Sequence, residues 1–479
     1  MLSRFPLMWL NRSLFSAALL ILTGCALGPD HQRPEVVAEP QWPEESVVFL
    51  DAGETEVRWW ASMGDPLLDE LVGDAIAHNH DLRIAMSNVR AARALLGEGR
   101  FDQYPSVSAS GEVTRQKQAS TAGLNFDRRS TLYDAGLDAF WELDFFGRVR
   151  RSVDILEAQY TGSLEQARST LVTVTAEVAR SYAELRGAQM RLAVAEENAS
   201  NQARSLELTQ ALRDGGRGND LDVSQATAQL RSTRAIIPGL RTEVARAARR
   251  IGVLTGRAPE QLRARLAQPK DLPELPETIR IGEPGELIRR RPDVAAVEQQ
   301  LAASTAQIGV QKADLFPRVE LFGSAGYFST SADDFGTPDS ERWSIGPVLS
   351  WAAFDLGRVR ARIRAAEAYA EGDLAAYEQA VLRALEEAGN AMTRYEQARQ
   401  REDELEIAAQ ASEKAAELAQ LRFKSGVDSF LAVLDAERRK LEAQDALASS
   451  RTESVLALVA VYKALGGGWE DALPRQAAR

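Results

Sequence analysis

From residue 106 the chain alternates. Val107, Ala109, Gly111 and Val113 fall on one side of an extended segment, with Ser106, Ser108, Ser110 and Glu112 on the other. A second segment alternates more strongly: Tyr133, Ala135, Leu137, Ala139, Trp141 and Leu143 share a face, opposed by Asp134, Asp138, Glu142 and Asp144. The pattern returns in Val319, Leu321, Gly323, Ala325 and Tyr327, and again in Trp343, Ile345, Pro347, Leu349, Trp351 and Ala353. This period of two predicts four strands in two hairpins, joined by polar loops over residues 115–130 and 329–342.

After each hairpin the period lengthens to about 3.5 residues. Leu171, Val178, Leu185, Leu192 and Leu206 recur at multiples of seven, as do Leu434, Leu441, Ala448, Val455 and Tyr462. Ser181, Ala188 and Ala195 occupy neighbouring seam positions, where small side chains permit close helix approach. No proline follows Gly147 until Pro238, nor Gly357 until Pro474. The first helix is predicted over residues 148–213, roughly 100 Å long at 1.5 Å per residue. Glycine-bearing turns at 214–220 and 424–429 end the long helices and send the chain back. The first turn is glycine-rich, but no Gly-Lys-Ser/Thr follows it and no strand precedes it, so it reads as a hairpin turn and not a phosphate loop.

The sequence therefore repeats itself. Tyr104-Pro105 answers Phe316-Pro317, Trp141 answers Trp351, and Gly147-Arg148-Val149-Arg150 answers Gly357-Arg358-Val359-Arg360. Leu208, Gly216, Leu221, Val223 and Ala226 answer Leu418, Gly426, Leu431, Val433 and Ala436. Two copies are expected, over residues 81–256 and 293–467. Between them residues 257–292 hold six of the eighteen prolines, which predicts a connector that is neither long helix nor buried strand.

Composition narrows the function. The 479 residues carry a net charge of −12, which argues against nucleic acid as a partner. All three histidines, His31, His78 and His80, precede residue 81, and Cys25 is the only cysteine. The rest of the chain has neither imidazole nor thiol for catalysis, and no nucleophile, zinc or dinucleotide motif occurs, so no enzyme is expected. His78-Asn79-His80, with Met63 and Met86 nearby, reads as a solvated helix start and not a copper site.

The N-terminus is an address. Arg4 and Arg12 flank or precede an apolar run of about ten residues, too short to span a bilayer, which ends at Leu22-Thr23-Gly24-Cys25; residues 1–24 read as a signal peptide. A lone exported cysteine cannot form an internal disulfide. Strands apolar on one side and polar on the other fit either a transmembrane barrel with a wet interior or a soluble sandwich with one buried face. In lipid, four strands cannot close a barrel, so other copies of the chain would have to supply the rest.

Leu22-Thr23-Gly24-Cys25 resembles the bacterial lipoprotein box, which implies lipidation of Cys25 and, with Ala26 following, sorting to the outer membrane. Trp141-Glu142-Leu143-Asp144-Phe145-Phe146-Gly147-Arg148-Val149-Arg150 resembles the strand-to-helix junction of the TolC-like outer membrane factors, in their lipidated OprM/NodT-type efflux branch. Arg289-Arg290-Arg291-Pro292-Asp293-Val294, Ile308-Gly309 and Phe316-Pro317 resemble the same family's inter-repeat signature. The resemblance implies a mainly α fold with transmembrane β: a homotrimer whose twelve strands, four per chain, close one barrel continuous with a long α-helical coiled-coil barrel. Residues 25–80 would then hold the lipid anchor, an extended segment and part of an equatorial region, residues 257–292 the rest of that region, and 468–479 a C-terminal tail.

The implied function is a passive outer membrane duct for drugs or other small toxic solutes, set in outer membrane lipid. It would work with a periplasmic adaptor (membrane fusion protein) and an inner-membrane RND-type pump, and with no cofactor beyond the lipid on Cys25. A type I protein secretion channel shares the fold, and a structural coiled-coil envelope lipoprotein is the remoter alternative. Matching residues 422–435 to the family's hairpin tip places Leu431 at an apolar constriction and Asp435 in a carboxylate ring of the periplasmic gate. Arg422, Phe423, Lys424 and Asp428 complete that candidate gate, although Phe423 has no hydroxyl for a bond between hairpins. Leu431 and Leu434 equally fit a helix core, and Asp435 with Arg439 an exposed i,i+4 ion pair.

Overall fold

In the computed structural model, residues 26–34, 50–51, 57–117, 129–276, 278–280 and 288–469 are described. The signal peptide, Cys25 and residues 470–479 of the tail lie outside them. In chain order the first elements are β1 (Leu50–Asp51), α1 (Pro66–His78), α2 (His80–Phe101), β2 (Ser106–Lys117), β3 (Arg129–Glu142), α3 (Arg148–Asp214) and α4 (Asp220–Leu254). There follow α5 (Pro259–Ala267), β4 (Ile279–Arg280), α6 (Pro292–Ala313), β5 (Arg318–Ser329), β6 (Glu341–Ser350), α7 (Leu356–Lys424) and α8 (Phe430–Ala464). The succession helix, strand, strand, very long helix, helix thus occurs twice, with long helices of 67 and 69 residues and return helices of 35 residues each.

The chain divides into two compact units, one formed by residues 1–35, 88–164 and 296–378, the other by the remainder. The first contains an antiparallel sheet in the order β2-β3-β5-β6. Its register places Ala109 opposite Leu137, Leu137 opposite Ala325 and Ala325 opposite Trp343, so the apolar positions of all four strands share one face. That face is bare: Val107, Val113, Leu137, Trp343, Ile345 and Leu349 are each more than half exposed. The strands reach Lys117 and Arg129, past the predicted loop limits, because pairing continues where the outward residues turn polar. Among the described residues no helix is long and apolar enough to cross a membrane.

The second unit has a conventional core. Trp59 stacks on Tyr462 at 5.0 Å and meets Trp60 edge-on, among Leu68, Leu71, Val178, Leu185, Ile251 and Leu458. The heptad positions Leu171, Val178, Leu185, Ala448, Val455 and Tyr462 are buried, as are Ser181, Ala188 and Ala195. Towards the hairpin turns the seam loosens, and Leu192, Leu206, Leu434 and Leu441 are only partly buried. Pro238 lies inside α4 on an exposed turn, where water can solvate the carbonyl left without its helical partner.

The connector departs from expectation. It contains the nine-residue α5 and the two-residue β4, which pairs in parallel with β1 and buries Ile279 completely. Two residues give no measurable period, which is why the pattern missed this strand.

Arg291 shows what the arginine-proline signature does. Its side chain is 8% exposed and donates to Asp293 Oδ2 and Glu387 Oε2 at 2.7 Å each and to the Ala464 carbonyl at 3.1 Å, joining the starts of α6 and the end of α8 to α7. Burial opposes the Arg291 charge, but hydrogen bonds and charge from Asp293 and Glu387 outweigh it and raise its pKa. Burial likewise works to raise the Asp293 pKa, and the Arg291 contacts overcome it, holding the carboxyl below the usual range. A depressed carboxylate stabilises the fold above its unfolded pKa and loses that contribution as pH falls through the folded value. Arg291→Ala should therefore cost about 1–2 kcal/mol at neutral pH, through its lost hydrogen bonds, since Asp293 and Glu387 are about half exposed and water can solvate them. It should also flatten the acid-induced loss of stability below about pH 4. Thermal unfolding of both proteins across pH checks this, and an unchanged acid profile would refute it.

Candidate functional site

Two regions carry the residues singled out by the sequence: the strand-to-helix junction and the hairpin tips. At the junction Asp144 caps α3, accepting from the backbone N–H groups of Val149 at 3.1 Å and Arg150 at 2.9 Å. Glu142 holds Arg148 through two hydrogen bonds, and Phe146 stacks on Phe316 at 4.6 Å. The two answering tryptophans do the same work: Trp141 Nε1 donates to the Gln103 carbonyl and Trp351 Nε1 to the Leu315 carbonyl, each at 3.0 Å.

The segment that follows Cys25 is docked on this junction. Leu27 N–H donates to the Phe146 carbonyl at 3.2 Å, and buried Arg151 reaches the Leu27 carbonyl at 3.1 Å and Asp30 at 2.7 Å. The approach needs glycine: a Cβ on Gly309 would stand 2.6 Å from the Leu27 carbonyl oxygen, and one on Gly147, at φ +78°, 2.6 Å from Ala26 Cα. Arg33 pairs with Glu298 at 2.7 Å further along. Cys25 itself is outside the described residues.

Both tips end their long helix in the same way. Gly426, at φ +76°, donates to the Phe423 carbonyl and Val427 to the Arg422 carbonyl; Gly216, at φ +69°, donates to Arg213 and Arg217 to Leu212. Each is a Schellman close that requires the left-handed conformation glycine tolerates. The restarts differ. Asn219 caps α4 by accepting from Asp222 N–H at 2.9 Å, whereas Ser429 makes no side-chain cap for α8.

The candidate gate residues form three groups. Arg422 and Asp428 staple the second tip, with Nε to Oδ2 at 2.5 Å; the hydrogen bond from Arg422 holds Asp428 below the usual carboxylate range. Phe423 packs on buried Phe430 at 5.4 Å and, with exposed Lys424, lines a groove of about 320 Å³ that also touches Arg204, Leu208 and Gln420. Leu431 and Asp435 lie one turn apart on α8. Leu431 is 60% exposed and so not a core residue of this chain, while Leu434 packs beside Val433 and Phe430. Asp435 accepts from Arg438 and Arg439 at 2.9 Å each; the Arg438 hydrogen bond, aided by the Arg439 charge, lowers its pKa. The ion pair left open by the sequence is thus present, with a second arginine added.

The profile of the outer membrane efflux proteins matches residues 71–257 and 284–467, spanning both strand pairs and both tips. The chain belongs to that family. It is 33% identical to outer membrane protein OprJ of Pseudomonas aeruginosa over 460 residues, covering 95% of this chain and 96% of OprJ. It is 31% identical to the toluene efflux pump outer membrane protein TtgC of Pseudomonas putida, covering 96% and 97% respectively. Its fold matches the outer-membrane channel OprN with a TM-score of 0.87 and 43% identity, over 93% of this chain and all of that one. The open-state MtrE channel of Neisseria gonorrhoeae matches at 0.80 with 27% identity, over 93% of this chain and 99% of that one. The protein is an efflux channel component of the outer membrane, mostly helical with a four-stranded sheet in each chain, in a family of channels and not of enzymes.

For an efflux family member the histidines are ordinary. His78 and His80 are exposed, and buried Asn79 between them accepts from Leu82 N–H and donates to the Leu254 carbonyl. Among the described residues no group of three or more His, Cys, Asp or Glu is placed to hold a metal. One residue escaped the sequence reading. Glu437, in the charged run 435–440, is 4% exposed and accepts from Ser205 Oγ at 2.7 Å and Gln420 Nε2 at 2.9 Å. Its Oε2 has no partner among the described residues. A buried acid held only by neutral donors is costly, so Glu437→Gln should preserve or raise the thermal midpoint. Glu437→Ala should lose about 2 kcal/mol by orphaning both donors. Equal destabilisation by the two variants in thermal unfolding would rule out this account.

Proposed function

We propose that three copies of this chain close one twelve-stranded barrel in the outer membrane and continue as a helical duct into the periplasm, conducting small toxic solutes outward without chemistry. The observation that carries the reading is the sheet β2-β3-β5-β6: its apolar face is bare and both edge strands lack a partner within the described chain. Hydrocarbon tolerates neither an open edge nor an unpaired backbone. The relatives are named for antibiotic, solvent and toluene efflux pumps, which supports a drug-like or solvent-like cargo here. The partners that suit such a duct are a periplasmic adaptor and an inner-membrane RND-type pump. The two similar strand-and-helix successions fit an internal repeat that lets three chains act as six similar staves.

The gate belongs to the same proposal. Exposed Leu431 from three chains forms the apolar neck, with Asp435 a turn away and Arg422, Phe423, Lys424 and Asp428 shaping the tip that presents them. Because Asp435 offsets Arg438 and Arg439, removing it leaves Arg439 without its carboxylate and Arg438 with only Glu442, at 3.8 Å, in each chain. In planar bilayers the trimer should conduct; Leu431→Ala should raise its conductance, and Asp435→Ala should shift selectivity towards anions. Parental conductance and selectivity in both variants would move the constriction elsewhere, and a protein that is monomeric in detergent would remove the duct itself.

The anchor is proposed on equal terms. Ala26 and Leu27 are held against Gly147 and Phe146, at the end of the sheet from which the long helix departs, so a lipid on Cys25 would enter the membrane beside the barrel wall. Metabolic labelling with palmitate should mark the wild type and not Cys25→Ser. Label on the variant would refute lipidation at that residue, and export should fall only modestly because the barrel is itself a membrane anchor.

A further inference from the structure

The outward face of the β2–β3 hairpin changes character towards its loop. Val107, Val113, Leu137 and Tyr133 make an apolar strip, and at its upper end Phe335 lies 6.1 Å from Tyr133 and 6.3 Å from Tyr327. Such an aromatic group marks the level where hydrocarbon gives way to headgroups. On the same face, beyond Val113 and Tyr133, stand Arg115, Lys117 and Arg129, all exposed. Lys117 and Arg129 are register partners, and Arg115 is the diagonal neighbour of Arg129.

Like charges directly opposite one another destabilise a strand pair unless something neutralises them. No carboxylate among the described residues forms an ion pair with any of the three, whereas Arg342 at the same end pairs with Asp134. The described acids of the two strands, Glu112, Asp134, Asp138 and Glu142, all have the opposite parity and fall on the polar face, where Glu112 accepts from Thr114. Arg129 lies four residues beyond Tyr133, roughly 14 Å along the strand, which is headgroup distance from an apolar band ending at that ring.

We propose that Arg115, Lys117 and Arg129 bind the phosphates of a phosphorylated lipid headgroup in the outer leaflet. Three cations within two strand positions of one another match a multiply charged anion, and the apolar strip directly below offers the place for acyl chains that free phosphate lacks. The inference rests on the sheet being the wall of a membrane barrel. The leaflet follows from topology: β2 and β3 lead to helices at their other ends, so this end is the outer one.

The test uses the full-length protein in detergent and native mass spectrometry, with an acylated, bis-phosphorylated glucosamine disaccharide and phosphatidylcholine as probes. The wild-type trimer should retain the phosphorylated lipid at least about tenfold better than phosphatidylcholine, and the combined R115Q, K117Q and R129Q variant should lose that preference. R342Q, at the same end on the polar face, should keep it, and inorganic phosphate should not displace the lipid. Undiminished preference in the triple variant, or displacement by inorganic phosphate, would overturn the site. Unchanged lipid retention with a trimer that dissociates more readily would assign the cations to the adjoining copy, whose Glu341 has the same outward parity. A wild type that forms no trimer would instead overturn the barrel on which the inference stands.

Discussion

A strand at the edge of a sheet carries N–H and C=O groups that hydrocarbon cannot solvate, and among the described residues the four-stranded sheet has two such edges, β2 and β6. A bare apolar face of this extent would be a liability in water, and it becomes an asset only where lipid covers it and another copy satisfies each edge. On the proposed reading a single chain is incomplete. Phe354, fully exposed beside the second junction, and Tyr369, three-quarters exposed on α7, are further large apolar side chains left uncovered in one chain.

Opposed to this, the second unit is closed upon itself by buried polar ties. Asp65 caps α1, accepts from the Tyr182 hydroxyl at 2.5 Å and pairs with Lys270 at 3.0 Å. Burial works to raise its pKa, but those bonds prevail and hold it low. Arg186, wholly buried, donates to Gln189 and the Gln268 carbonyl and covers the Tyr182 ring at 4.9 Å. Such groups are expensive to bury singly and fix one arrangement when tied together, although Arg186 Nε has no partner among the described residues. They give α3 a defined station against α1 and α5, from which 25 further residues run to the first tip.

The strands and long helices were legible because their periods persist for ten or more residues. The tips were legible because Gly216 and Gly426 sit where a helix must stop. What stayed hidden was set by three-dimensional proximity. Glu437 stands in a run of charges and reads as surface, yet Ser205, 232 residues away, closes over it. Gly309 is marked by the family signature, but the reason for it appears only when Leu27 is seen lying across it. Asp435 was half legible: the partner four residues on was foreseen, and the one three residues on was not. The number of copies proposed rests on the resemblance, since no period in one chain contains it.

The missing cap on α8 has a consequence for the second tip. Helix α4 starts with a backbone donor satisfied by Asn219, and α8, which carries Leu431 as its second residue, starts without one. A side-chain cap is worth about 1 kcal/mol, so fraying of the first turn of α8 is roughly fivefold more frequent than it would be with Asn219's counterpart in place. The amide protons ahead of Leu431 then exchange with water faster than those ahead of Leu221. The two hairpins, alike in outline, differ in how readily their ends come undone, and the looser end is the one that carries Leu431.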